Sequence, residues 1–360
     1  MSVTSPATIF PNHGRENAFA RIAALSTATP GIEASVDEVW SAVGEARGRR
    51  MPRLSSHDGA GMRWLAEPLS TLTVTRSQSQ QTDAYLQHGR ALARRVCREA
   101  LERSAIPIDR IGLIIGTSCT GIALPSLDAE LVPLLGLRAD VARLPITELG
   151  CGAGLAGLAR ALDYLRAYPD RAVLVFSVEL PSLTFQPDDR SADNLTAAIV
   201  FGDGAGAAVL DAGAASNGWT LEHTGTKLVP EGSAQLGFEL RDGGLRVVLS
   251  RELPRLVRAN LRNAVDAFLE SAGLNLGEVD LIAAHPGGPR IFDAIEASLQ
   301  LDQGALATSR RVFEQFGNPS SAGIFFVLEA LPAGGRTGHA LAIAFGPGLS
   351  IELALMRLSG

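Results

Sequence analysis

Two stretches of the chain carry the same pattern of apolar and polar positions. Arg90–Gly116 (RALARRVCREALERSAIPIDRIGLIIG) and Arg258–Ala284 (RANLRNAVDAFLESAGLNLGEVDLIAA) align without a gap at an offset of 168 residues. The alignment pairs Leu101 with Leu269, Glu102 with Glu270, Ile106 with Leu274 and Leu113 with Leu281. In each, apolar residues recur at helical spacing, a short connector follows, and an apolar run closes the unit. That predicts an amphipathic helix leading into a buried strand. A second pair, Leu149–Leu158 (LGCGAGLAGL) and Phe316–Phe325 (FGNPSSAGIF), matches at an offset of 167, with Gly150 against Gly317 and Cys151 against Asn318. Both segments read as a strand-like stretch passing through Gly into a small-residue helix that runs to about Leu165 or Leu331.

Further apolar runs predict strands at Ala172–Ser177, Ala205–Leu210, Ala340–Phe345 and Leu349–Leu355. A Gly/Ala/Ser-rich stretch, Ala212–Gly218, marks the boundary between the repeats. The chain therefore reads as an α/β protein of two duplicated halves, residues 1–215 and 216–360, packed face to face about a pseudo-twofold axis. Such packing sets Thr117 opposite His285, each just beyond an apolar strand, and Cys151 opposite Asn318, each at a helix start. Cys151, His285 and Asn318 then converge at three element ends.

Composition narrows the chemistry. The chain has 360 residues, of which 46% are hydrophobic and only 5% aromatic, so its core is mostly aliphatic. A net charge of −6 argues against bulk nucleic-acid binding. Lys227 is the one lysine in the sequence, which removes a Walker-type phosphate loop and leaves almost no scope for a Schiff-base enzyme. Three cysteines without a C-x-x-C, and six histidines without ligand spacing, argue against a metal site. With no cationic start followed by an apolar run, and no apolar run of membrane length, the protein is expected to be soluble and cytoplasmic.

Cys151 follows Gly150 and opens a helix rich in Gly and Ala. A thiol there faces unpaired N–H groups and the positive end of the helix dipole, which lowers its pKa towards a thiolate. An inert buried cysteine is the competing reading, and it is the better one for Cys97 and Cys119. His285 ends a strand in AAHPGGP and could equally be a core histidine. Asn318 in FGNPSSAG could be an N-cap, or an amide donor to a carbonyl that becomes an enolate. Together the three suit thioester chemistry. Gly152-Ala-Gly-Leu-Ala-Gly157 also matches G-x-G-x-x-G, with Glu179 ending the next strand, which raises an NAD(P)-dependent oxidoreductase as an alternative. The acidic residue lies too far along, and the duplicated copy lacks the glycines.

At these residues the sequence resembles the type III polyketide synthases, the chalcone-synthase-like branch of the thiolase superfamily. The likeness runs from about Phe19 to Arg357 and rests on LGCGAGLAGL, FGDGAGAAV at 201–209, AAHPGGPRI at 283–291, GNPSSAG at 317–323 and FGPGLSIE. It implies a thiolase-like fold with five αβαβα layers. It implies Cys151 as acyl-loading nucleophile, with His285 and Asn318 promoting malonyl-CoA decarboxylation and stabilising the enolate. Phe201 falls on the gatekeeper position between CoA tunnel and reaction cavity. Val247 stands where plant enzymes have a second gatekeeper phenylalanine, which should widen the cavity unless neighbours such as Phe238 refill it. Cys119, Thr184 and Ser320 map to the cavity lining, Gly287 and Gly288 belong to the histidine motif, and the loop Phe345–Gly348 would form the cavity floor. Arg50 and Arg53, with His57 a weaker third, fall where the family holds CoA phosphates, although a solvated face is the simpler reading of RGRRMPR. Leu124 maps to the residue each subunit inserts into its neighbour's site, implying a homodimer.

The stretch 179–195 (ELPSLTFQPDDRSADNL) looks most like the bacterial alkylpyrone and alkylresorcinol synthases. The expectation is a synthase that loads an acyl-CoA starter, a fatty acyl chain, and extends it with malonyl-CoA to a cyclised product. It would need no metal, cofactor or carrier protein. Alternatives are a tetrahydroxynaphthalene-type synthase using malonyl-CoA alone, or a carrier-protein-dependent ketoacyl synthase III.

Overall fold

The protein is described from a computed structural model covering residues 19–46, 48, 61–215, 217–241, 244–331 and 337–359. The first half runs β1 (Ala20–Ala28), β2 (Ile32–Ser35), α1 (Val36–Ala46), β3 (Met62–Leu65), α2 (Gln78–Ser104), β4 (Ile111–Thr117), α3 (Leu127–Leu134), β5 (Ala142–Ile146), α4 (Ala153–Ala167), β6 (Ala172–Glu179), α5 (Ala192–Val200) and β7 (Gly204–Ala212). The second runs β8 (Gly218–Leu228), β9 (Leu236–Arg241), β10 (Gly244–Leu249), α6 (Leu253–Ser271), β11 (Val279–Ala284), α7 (Pro289–Leu299), α8 (Ala307–Phe316), α9 (Gly323–Ala330), β12 (Gly338–Gly346) and β13 (Ser350–Ser359). The first matched pair of segments is α2–β4 and α6–β11. Helix α2 starts where Ser77 Oγ accepts a hydrogen bond from the Gln80 N–H and Gln80 Oε1 accepts one from the Ser77 N–H, a capping box.

Nine strands hydrogen-bond in the order β11-β12-β13-β8-β1-β7-β6-β4-β5. The two half-sheets repeat one topology. In each, two parallel strands (β4 and β6; β11 and β12) are followed by two antiparallel ones (β7 and β1; β13 and β8). They join where β1 pairs with β8 at Ala20–Leu221 and Arg21–Thr220.

The layers are α2 with α3, the first half-sheet, α4 with α9, the second half-sheet, and α6 with α7. This is the five-layered thiolase arrangement. Strands β4, β6, β7 and β12, covered on both faces, are almost continuously apolar rather than alternating. Residue size alternates instead: Ala340, Ala342 and Ala344 of β12 face the central helices, and Leu341, Ile343 and Phe345 face α6 and α7. Alanines on the inner face let the central layer sit close. One local expectation fails. The approach to Asn318 is helix α8, not a strand, so only the Cys151 copy is preceded by one, β5.

The central helices nearly touch. A Cβ at Gly154 of α4 would lie 2.3 Å from the Ser321 carbonyl oxygen and 2.7 Å from Ile324 Cγ2. Gly154→Ala therefore forces the two halves apart and is expected to lower stability by roughly 1–3 kcal/mol. Gly31→Ala, with nothing within 4 Å, serves as the neutral control. Urea midpoints measure both, and equal midpoints would contradict so close an approach.

Candidate active site

Two tight turns bring the second matched pair of segments together. Cys151 sits in a 3-10 turn, Gly150–Gly152, that runs into α4; Asn318 precedes the equivalent turn, Ser320–Ala322, that runs into α9. The paired glycines Gly150 and Gly317 both adopt left-handed φ, +46° and +71°, a region that favours glycine. A Cβ at Gly150 would lie 2.7 Å from Pro347 Cδ, so the Phe345–Gly348 loop packs against the Cys151 turn. Cys151 Sγ is 3.9 Å from both Oδ1 and Nδ2 of Asn318 and 3.6 Å from Ser320 Oγ.

Asn318 is fixed by its neighbours. Its N–H donates to the Val200 carbonyl at 2.9 Å, its carbonyl accepts from Gly202 N–H at 3.2 Å, and Phe201 and Asn318 form a parallel bridge. Its Oδ1 accepts from Ser320 N–H at 2.8 Å, which turns Nδ2 into the free donor. Beneath this junction lies Arg63, fully buried, donating to the carbonyls of Ile199 at 2.7 Å and Met62 at 2.6 Å, with its guanidinium over the Phe313 ring at 4.7 Å. Burial lowers the Arg63 pKa to about 10, leaving it charged at neutrality. A Cβ on Gly317 would meet its Cδ at 2.6 Å.

His285, 3% exposed, follows β11, and its N–H donates to Ile343 O at 2.8 Å. Both ring nitrogens are buried, and the Asn318 amide is the polar neighbour that bears on the ring. Burial pushes the imidazole down to about 3, with Asn318 only partly opposing, so the ring is neutral at physiological pH.

The thiol differs from expectation. Burial pushes Cys151 up to about 11; Ser320, Asn318 and the local backbone pull it down, and Glu179 adds to the rise. Desolvation thus outweighs the helix start and favours the uncharged thiol.

Two cavities meet at Phe201. The larger, of about 460 Å³, is lined by Cys151, His285 and Asn318 together with Gly287 and Gly288, and also by Arg251 and Arg290. The smaller, of about 30 Å³, is lined by Thr184, Ser320, Phe238 and Val247. Phe201 forms part of both walls. The widening expected from Val247 is absent. Val247 and Phe238 are cross-strand partners in the β9–β10 hairpin, and the phenylalanine takes up the room. Cys119 lies behind Ser320, 3.3 Å from its Oγ, and lines neither cavity. Leu124 is 93% exposed, away from both. Arg50, Arg53 and His57 lie outside the described residues.

The dinucleotide reading fails on geometry. Gly154 faces the Ser321 backbone, a Cβ at Gly157 would lie 3.0 Å from Val175 Cγ1, and one at Gly152 would lie 2.9 Å from Glu352 Cγ. These glycines pack helix against protein, and Glu179 is fully buried. Sequence reasoning missed what Glu179 does instead: it accepts hydrogen bonds from Thr120 Oγ1 at 2.7 Å, from the N–H groups of Cys119 and Thr120 at 3.1 Å, and from Ser321 Oγ. Arg251 and Arg290 were missed too, although Arg290 directly follows HPGGP.

Comparison with known proteins agrees with this geometry. Residues 66–214 match the chalcone and stilbene synthase N-terminal domain and 220–359 the C-terminal domain. The chain is 35% identical to a 1,3,6,8-tetrahydroxynaphthalene synthase of Streptomyces peucetius subsp. caesius, over 99% of this chain and 97% of the relative. It is 33% identical to a putative chalcone synthase of Bacillus subtilis, over 81% and 84%. It superposes on the crystal structure of the tetrahydroxynaphthalene synthase of Streptomyces coelicolor A3(2), a bacterial type III polyketide synthase, with a TM-score of 0.87 at 26% identity, covering 93% of this chain and 98% of that one. The chain thus belongs to the chalcone and stilbene synthase family, the type III polyketide synthases.

Proposed function

We propose that this enzyme builds its product from malonyl-CoA alone, as a tetrahydroxynaphthalene-type synthase, rather than from a fatty acyl starter. The observation that carries this reading is the full-length similarity to a tetrahydroxynaphthalene synthase. The inner chamber, about 30 Å³, holds roughly one or two waters and offers no room for a long alkyl tail. The 460 Å³ outer cavity accommodates a CoA arm and a short chain on Cys151.

In this scheme Cys151 takes the acyl group from CoA. The uncharged His285 ring and the Asn318 amide donate hydrogen bonds to the thioester oxygen of malonyl-CoA. As the carboxylate leaves as CO2, that oxygen takes up the enolate charge inside a water-poor cavity, where fixed donors count most. The enolate carbon then attacks the thioester on Cys151. CoA enters as substrate, and no metal or carrier protein is needed. The exposed Leu124 supports a homodimer in which it reaches the neighbouring subunit.

Isotopically labelled malonyl-CoA supplied alone is expected to yield a product labelled throughout, read by mass spectrometry; a product that appears only with a long-chain acyl-CoA would overturn the reading. Asn318→Ala is expected to slow malonyl-CoA decarboxylation about a hundredfold or more, and undiminished CO2 release would remove the amide from that role. Phe238→Ala enlarges the inner chamber and is expected to add malonyl units to the product; an unchanged product mass would show that this ring does not limit chain length.

A further inference from the structure

The smaller cavity has two unlike walls. On one side stands the β9–β10 hairpin, with Phe238 and Val247. The other side is assembled from separate pieces of chain: the end of β3, the 3-10 turn Pro181–Thr184 that follows β6, and the junction between α5 and β7. Leu65, Ser182, Thr184 and Phe201 present these pieces to the cavity. Behind them lies Asp203, fully buried and lining neither cavity.

Each hydrogen bond of Asp203 described here goes to this composite wall. Its Oδ2 accepts from the Ala66 N–H at 2.6 Å and from Ser182 Oγ at 2.5 Å. Its Oδ1 accepts from the Ser182 N–H at 2.9 Å, and its own N–H donates to the Trp64 carbonyl at 2.8 Å. Ala66 adjoins Leu65, Ser182 itself lines the cavity, and Phe201 stands two residues before Asp203. One side chain therefore ties three pieces of wall together. No cation is among its hydrogen-bond partners in the described residues, and Glu67 adds a second negative charge nearby. A carboxyl buried without a countercharge is costly, so these donors are what hold it in place.

We infer that Asp203 is the positioning residue that sets the depth of the inner chamber, and through it the number of malonyl units the enzyme adds. The inference rests on the reading above in which this chamber limits the chain grown on Cys151. At about 30 Å³ the chamber has little slack. Phe201 is held independently by its bridge to Asn318, so the turn that carries Ser182 and Thr184 is the piece that gives way when a tie is lost. Its outward movement deepens the chamber and admits a longer chain. Asp203 touches neither the chain nor the thiol; it acts through Ser182 and Ala66.

The test counts malonyl units per product by mass spectrometry, with labelled malonyl-CoA supplied alone and then with a long-chain acyl-CoA. The count is defined for either starter, so the malonyl-only reading can fail without deciding this one. Asp203→Asn keeps the size of the side chain, but its amide must face a backbone N–H, at Ala66 or at Ser182, and one tie breaks. Burial already raises the carboxyl to about 7, so an uncharged group of that shape suits the place. The ratio of products one unit longer to the wild-type product is expected to rise about threefold or more. Ser182→Ala removes the hydroxyl tie alone and is expected to move the ratio the same way by less; if Asp203→Asn does not fold, this variant decides. A purely structural role lowers all products together and leaves the ratio where it was. Phe238→Ala, which opens the same chamber from the far wall, is the reference. A shift there with none in the Asp203 and Ser182 variants rejects the role of Asp203, and no shift in any of them removes the chamber reading and the inference with it.

Discussion

Everything at the reaction centre depends on how closely α4 and α9 approach. The two turns at their starts carry the proposed nucleophile and the proposed amide donor on opposite halves of the chain. They reach each other because Gly154 offers no side chain to the Ser321 carbonyl, which a Cβ would meet at 2.3 Å. Alanine-rich strand faces on either side, such as Ala340, Ala342 and Ala344, leave the central layer the space to close. Duplication supplies two helix starts, and close packing turns them into one site.

The second constraint is dryness. His285 and Glu179 are buried and Cys151 is half-buried, and desolvation shifts each towards its uncharged form. Burial disfavours standing charge on the thiol and on the imidazole alike. That suits an enolate, whose charge is stabilised best where no water competes for the same donors.

Much of this was legible in the chain itself. The repeat of Arg90–Gly116 in Arg258–Ala284 disclosed the two halves, and the pairing of Cys151 with Asn318 disclosed where they meet. What failed was whatever depended on neighbours distant in sequence. The run ahead of Asn318 read as a strand by analogy with the other copy, but α8 stands there. The thiol was expected to be acidified by its helix, yet burial dominates. Val247 promised a wide chamber, and its cross-strand partner Phe238 fills it. Glu179 entered the sequence reading only as the misplaced acidic residue of a G-x-G-x-x-G match, while its partners Thr120 and Ser321 come from other segments.

The bridge between Phe201 and Asn318 has an evolutionary consequence. The residue that divides the two cavities and the amide that faces the thiol share backbone hydrogen bonds through Val200 and Gly202, over the same buried Arg63. Backbone drift at the divide therefore displaces the amide as well. Side-chain exchange on the far wall, on the β9–β10 hairpin that carries Phe238 and Val247, reshapes the smaller cavity without touching that backbone junction.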